Sequence, residues 1–234
     1  MSTRMSATLY DVPVSNNGAR ARIAIYAKGL ESQINIVSPS ELGGIKSEEY
    51  TELNPYGKMP LFITDDDSAL YESEIILQYI LDKYKDVGPS LELDTPEARA
   101  HSALSAKLFD TYIQPIQGCM YRDMGLSAEE RAKQLGEVDE NLHVLEKMCS
   151  STGPYFCGAK PSGADCSLFP SFVFFEFMLE TQFGWPDAFY DKPNLKQWYN
   201  YLKKGKSKKP KTQFNQNTHT RTNTQMHTRF IPSH

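Results

Sequence analysis

The chain has 234 residues, 40% of them hydrophobic, enough for one large domain or two smaller ones with a real core. Its net charge of −4 hides a division: residues 203–234 hold eight lysines and arginines and no acid, so residues 1–202 carry −12. An acidic folded part excludes a nucleic-acid footprint, no apolar run approaches the ~20 residues that span a bilayer, and residues 1–6 have no apolar signal core.

In chain order, Ala7-Thr8-Leu9-Tyr10 reads as a first strand, and residues 11–18 as a loop. Ala19 to Lys28 forms a helix that Gly29 ends at a C′ position. Gln33 to Val37 alternates as a second strand, residues 39–44 form a loop, and Lys46 to Leu53 a short helix or turn. Leu61-Phe62-Ile63 is a short buried strand, Asp65 to Ser68 a tight turn, and Ala69-Leu70-Tyr71 its return. A helix runs from Glu72 to about Lys85, its apolar face formed by Ile75, Ile76, Tyr79 and Ile80, and residues 86–90 break it. Strand, helix, strand, strand, strand, helix describes a small α/β domain with a mixed sheet.

From Thr95 the chain reads as helices only. Thr95-Pro96-Glu97 supplies a cap, a proline at the first helical position and an acid in the first turn. The helix continues to Met120 with a kink at Pro115. Ser127-Ala128-Glu129-Glu130 and Ser162-Gly163-Ala164-Asp165 are capping boxes; the second opens an apolar helix, Leu168 to Leu179, buried all round. Pro193 to Leu202 is the last element with a core signature. Residues 6–86 therefore form one domain, 87–94 a linker and 95–204 a helical domain. Residues 205–234 read as a disordered basic and polar tail, with Lys203 to Lys211 a solvated charge run or an import patch. The four cysteines, Cys119, Cys149, Cys157 and Cys166, form neither a zinc pattern nor a disulfide framework. They are expected to be packing residues in a reducing, cytoplasmic compartment, and no metal is expected.

Two features of residues 54–73 suggest chemistry. Met59-Pro60 opens a strand, and X-Pro is the bond at which cis is accessible. That conformation would turn the Met59 backbone outward, toward an extended peptide. Glu72-Ser73 opens a helix, whose unpaired amides can hold a carboxylate. Locally, the pair reads either as a site for a small acidic peptide or as a strand-edge proline and a serine cap.

Four segments, in this order, carry a resemblance: Asn54-Pro55-Tyr56-Gly57-Lys58-Met59-Pro60, Leu70-Tyr71-Glu72-Ser73-Glu74-Ile75-Ile76, Ser162-Gly163-Ala164-Asp165, and Pro193-Asn194-Leu195-Lys196-Gln197-Trp198. Over residues 6–204 the chain resembles the soluble glutathione transferases. The resemblance implies an α/β thioredoxin-like N-terminal domain followed by an all-α C-terminal domain, a homodimer, and glutathione as co-substrate with small hydrophobic electrophiles. Ser15-Asn16-Asn17-Gly18-Ala19-Arg20-Ala21-Arg22-Ile23-Ala24 resembles the serine-type classes. By that resemblance Ser15 is the hydroxyl that donates to the glutathione thiolate, and Asn17 aligns with a second donor used in a related group. No cysteine occupies the site, which argues against glutaredoxin-like chemistry and weakens a maleylacetoacetate isomerase assignment. Lys46 is implied as partner of the glycyl carboxylate, Met59 with Pro60 as the backbone contact of the cysteinyl residue, and Glu72 and Ser73 as holders of the γ-glutamyl ammonium and carboxylate. Tyr112, Ile116 and Met120, at four-residue spacing on the kinked helix, either line the electrophile pocket or belong to the core. A peroxidase side activity is a further implication. The alternative is a non-catalytic interaction module of the same fold.

Overall fold

The computed structural model describes residues 6–121 and 124–204; the expectations for the tail lie outside the described residues. The described residues divide into two compact units, with the division between Ser90 and Leu91.

The first unit is built on four strands, β1 (Ala7–Tyr10), β2 (Ile34–Val37), β3 (Leu61–Ile63) and β4 (Ala69–Tyr71), in the order β2-β1-β3-β4. β1 pairs with β2 in parallel and with β3 antiparallel, and β3 pairs antiparallel with β4. Helix α1 (Asn16–Lys28) begins three residues earlier than the sequence suggested. Ser15 is its cap: Ser15 Oγ accepts from the Gly18 amide at 2.9 Å, which lets residues 16–18 join the helix. Gly29 ends it at φ 69°, where a glycine carries no Cβ penalty, and its amide returns to the Ile25 and Tyr26 carbonyls. A 3-10 turn (Pro39–Leu42) and the short helix α2 (Glu48–Leu53) lead to β3, and α3 (Ser73–Lys83) follows β4. α1 and α3 pack against each other, and the fully buried Arg20 reaches Glu74 across that contact at 3.7 Å. A second apolar cluster joins Leu42, Tyr50 and Leu61, with Tyr10, Ile45 and Leu53 packed against it.

The second unit is helical: α4 (Pro96–Leu108), α5 (Ala128–Met148), α6 (Gly163–Phe183) and α7 (Pro193–Lys203). Thr95 caps α4 through the Ala98 amide, 3.1 Å away. The helix expected from Thr95 to Met120 is not one kinked helix. It passes from α4 into a π turn (Phe109–Ile113) and then a 3-10 stretch (Gln114–Met120). Pro115 has no amide to offer the Thr111 carbonyl, and the backbone has changed register just before it, between Ile113 and Gln114. The Ser127 box closes α5, with Glu130 N to Ser127 Oγ at 3.2 Å and Ser127 N to Glu130 Oε2 at 2.9 Å. The apolar helix is longer than read from the sequence, because the Ser162 box starts it at Gly163 and Gly184 stops it. Within that box the fully buried Asp165 accepts four hydrogen bonds, from Phe156 N, Ser162 N, Ser162 Oγ and Trp198 Nε1, at 2.7–3.0 Å. Three elements are thereby tied to one carboxylate beneath an aromatic cluster of Phe156, Phe169, Phe172 and Trp198.

Candidate functional site

The sheet register determines what can meet in the first unit. Tyr10 lies opposite Leu61, and Leu61 opposite Tyr71. The chain leaving β1, the chain arriving at β3 and the chain leaving β4 therefore meet at one end of the sheet. Ser15, Met59-Pro60 and Glu72-Ser73 stand in those three lengths of chain, between 12 and 58 residues apart in sequence.

Ser15 is half-buried at the start of α1, and its oxygen already accepts from the Gly18 amide. The hydroxyl also faces the Asp11 carboxylate. Asn17 sits within the first turn of α1 rather than in a loop; its amide nitrogen donates to Asn16 Oδ1 at 3.0 Å, and its Oδ1 is buried without a hydrogen-bond partner. Behind Ser15 stands Asp11, read from sequence only as a loop residue. Its carboxylate is buried, with Arg22 Nε 3.0 Å from Oδ2. Burial pushes the Asp11 carboxyl up to about 6, against the pull of the Arg22 guanidinium, the Val12 amide and the Ser15 hydroxyl.

Met59-Pro60 is cis, and Pro60 is buried. Two donors converge on the carbonyl just before it: Tyr50 Oη and Asn54 Nδ2 each reach Lys58 O at 2.7 Å. Burial, foremost, raises the Tyr50 phenol to about 12, so it stays a donor at neutral pH. Lys46 is exposed, and its ammonium lies 3.0 Å from where a Cβ on Gly57 would stand. A Cβ on Gly57 would also stand 2.7 Å from the Ile45 carbonyl oxygen, and Gly57 takes φ 55°, so the turn requires glycine. Glu72 has φ 71° and ψ 114°, a conformation that costs a non-glycine residue about 1–3 kcal/mol. It forms the junction into α3, whose start receives no side-chain cap from Glu72, and Ser73 is buried in the first turn.

In the second unit Tyr112, Ile116 and Met120 do not share one environment. Tyr112 is 55% exposed and Met120 is 0% exposed, with Ile116 between them. The π and 3-10 turns destroy the four-residue repeat that would have aligned them, and Met120 is core. Cys119, Cys149 and Cys166 are buried and Cys157 half-buried, all as free thiols. Burial raises the Cys149 and Cys157 thiols, Cys157 to about 11, as befits packing residues rather than nucleophiles. Asp139, His143 and Asp191 approach one another in a metal-like group. Lys192 Nζ already lies 2.7 Å from both Asp139 Oδ1 and Asp191 Oδ1, so an internal ammonium supplies the cation there.

Two family models match this chain: glutathione S-transferase N-terminal domain over residues 9–90, and glutathione S-transferase C-terminal domain over residues 128–200. The chain belongs to the soluble glutathione transferase family. Among its relatives, glutathione S-transferase F14 of Arabidopsis thaliana is 27% identical over 194 residues, 78% of this chain and 74% of that protein. Maleylacetoacetate isomerase of Pseudomonas aeruginosa is 28% identical over 76% of this chain and 85% of that protein. Among solved structures, Ure2p in complex with glutathione superposes with a TM-score of 0.70 at 18% identity, over 86% of this chain and 96% of that one, a likeness of fold. The glutathione transferase architecture, a small mixed sheet unit followed by a helical unit, is the one described above. Among the described residues, no helix is long and apolar enough to cross a membrane. Two arrangements beside the candidate residues escaped sequence reading: the Asp11–Arg22 pair and the Tyr50–Asn54 grip on Lys58. The only sequence signal for the first is an arginine seven residues after Ser15, and for the second an Asn-Pro turn four residues after a tyrosine.

Proposed function

We propose that this glutathione transferase conjugates glutathione to small hydrophobic electrophiles by holding the thiol as a thiolate beside the Ser15 hydroxyl, in the manner of the serine-type classes. The observation that supports this reading is the sheet register, which brings the ends of β1, β3 and β4 that lead to Ser15, Met59 and Glu72-Ser73 to one end of the sheet. In the proposal, Ser73 and the start of α3 hold the γ-glutamyl carboxylate and Glu72 its ammonium. The Met59 amide and carbonyl, set by Pro60, pair with the cysteinyl residue, and Lys46 meets the glycyl carboxylate. A free thiol has a pKa of about 8.5, so little of it is ionised at neutral pH. The Ser15 hydroxyl, the start of α1 and, as a second donor, Asn17 favour the anion. Ser15 is not the nucleophile. The thiol proton leaves to solvent, the sulfur forms a bond to the electrophilic carbon, and the leaving group departs with its electron pair. Of the residues the sequence offered for an electrophile pocket, Tyr112 is exposed and Ile116 half-buried, and the buried Met120 does not enter the proposal. The same thiolate could serve hydroperoxide reduction, two glutathiones and ROOH giving the disulfide, ROH and water. The reading includes a cytoplasmic homodimer.

The test is binding to immobilised glutathione followed by turnover of chlorodinitrobenzene. Ser15→Ala should lower turnover roughly tenfold to a hundredfold at pH 7, the loss expected when the thiol pKa rises by one to two units. Full activity in Ser15→Ala would transfer the role to Asn17 or Tyr10. A wild-type chain that neither binds nor turns over glutathione would leave the non-catalytic module as the reading.

A further inference from the structure

Asp11 is the first residue after β1, tied there by its amide to the Val37 carbonyl at 2.9 Å. Its carboxylate lies beneath the first turn of α1, so close that a Cβ on Gly18 would stand 1.9 Å from Oδ1. Arg22, one turn further along α1, reaches back to it. The same guanidinium donates through Nη2 to the Pro13 carbonyl at 3.1 Å and to the Ser15 carbonyl at 3.0 Å. One side chain thus holds both ends of the loop that presents Ser15, and Asp11 holds that side chain. The groups facing Asp11 are Arg22 and the Ser15 hydroxyl at α1, the Val12 amide in the loop, and the Tyr50 phenol from α2. Both carboxylate oxygens are buried without a well-aligned hydrogen bond.

We propose that Asp11 is a positioning residue of the thiolate site: by anchoring Arg22 it fixes the Ser15 backbone and so the direction of the Ser15 hydroxyl. This rests on the reading of Ser15 as the thiolate's donor. The folded pKa of Asp11, about 6, stands above the ordinary 3.8, so the fold prefers the neutral acid. The ionised form destabilises the folded state fully above about pH 6, and that cost fades as pH falls toward 3.8. Burial works against the charged form, while the contact with Arg22 favours it, so the carboxylate is matched to the guanidinium that holds the Ser15 loop.

Asp11→Asn in the full chain should therefore move two readouts in opposite directions. Its melting temperature should exceed that of wild type at pH 7.5, with the gap closing as the pH is lowered below about 6 toward 4. Its dissociation constant for glutathione, measured by calorimetry, should stay within about twofold while kcat with chlorodinitrobenzene falls at least about tenfold, as small misplacements of reacting groups do. Gly18→Ala drives a methyl into the carboxylate's place and should cost a similar factor in kcat. In an Asp11→Ala background the same change should cost little further, a non-additive pair. The inference is overturned if Asp11→Asn keeps full kcat, if it melts lower and loses binding and turnover together, or if the Gly18 and Asp11 effects multiply. An inactive, non-binding wild type would instead refute the thiolate reading, and the proposal would fall with it.

Discussion

Asp11 and Asp165 are both buried carboxylates at the start of a helix, one in each unit. Burial pushes both carboxyls up. Their surroundings differ. Asp165 has four donors shared over its two oxygens and ties the segment before α6, the start of α6 and α7 together. Asp11 has an arginine and no well-aligned hydrogen bond. A carboxylate whose lone pairs are all used is a structural joint. One whose charge is buried and matched mainly by an arginine gains little net stability from that pairing.

The largest expected effect tests the structural half of this contrast. Asp165→Ala strands the Phe156 and Ser162 amides and the Trp198 indole N–H in the core. We expect a loss of about 3–5 kcal/mol, read by urea titration as early unfolding of the helical unit. A loss below about 1 kcal/mol would break the comparison. Asp165→Asn is the sharper probe, because it makes the same exchange as Asp11→Asn. Its NH2 must face at least one donor it cannot accept from, so it should destabilise by about 2 kcal/mol, where Asp11→Asn stabilises. Equal signs at the two sites would erase the distinction.

Smaller effects sharpen the functional half. Ser15→Ala should combine its loss of turnover with about 1 kcal/mol of lost helix cap, whereas Ser15→Thr should recover the cap and part of the rate. Tyr50→Phe leaves Asn54 as the remaining grip on the Lys58 carbonyl. We expect about 1 kcal/mol of stability and a few-fold rise in KM for glutathione, with kcat little changed. Lys46→Ala should be mildest. It leaves the melting temperature unchanged and raises KM for glutathione by a few-fold, less at high salt, as an exposed charge contact does.

Much of the fold is legible in short stretches of chain. Gly29 announces the end of α1, and the Ser127 and Ser162 boxes announce α5 and α6, because caps join atoms only a few residues apart. The hairpin through Asp65 to Ser68 is legible for the same reason. α1 began early because Ser15, read as a loop residue, also serves as the cap. The four-residue stripe of Tyr112, Ile116 and Met120 failed because its spacing presumes an unbroken α-helix, and the backbone around Pro115 does not supply one.

The residues proposed to carry the chemistry were visible in the sequence as segments, Ser15, Met59-Pro60 and Glu72-Ser73, each with a local geometry that a peptide ligand can use. That these segments leave one end of the sheet was decided by the tertiary structure, through the register of β1, β3 and β4, which no local pattern specifies. The tertiary structure likewise decided the protonation preference of Asp11 and the grip of Tyr50 on Lys58. Desolvation and hydrogen bonding act between groups that are close in space, and Asp11 is 11 residues from Arg22 and 39 from Tyr50 along the chain. Periodicity and caps record what neighbours in sequence do to one another; the polarity of a site depends on what the folded chain removes from water.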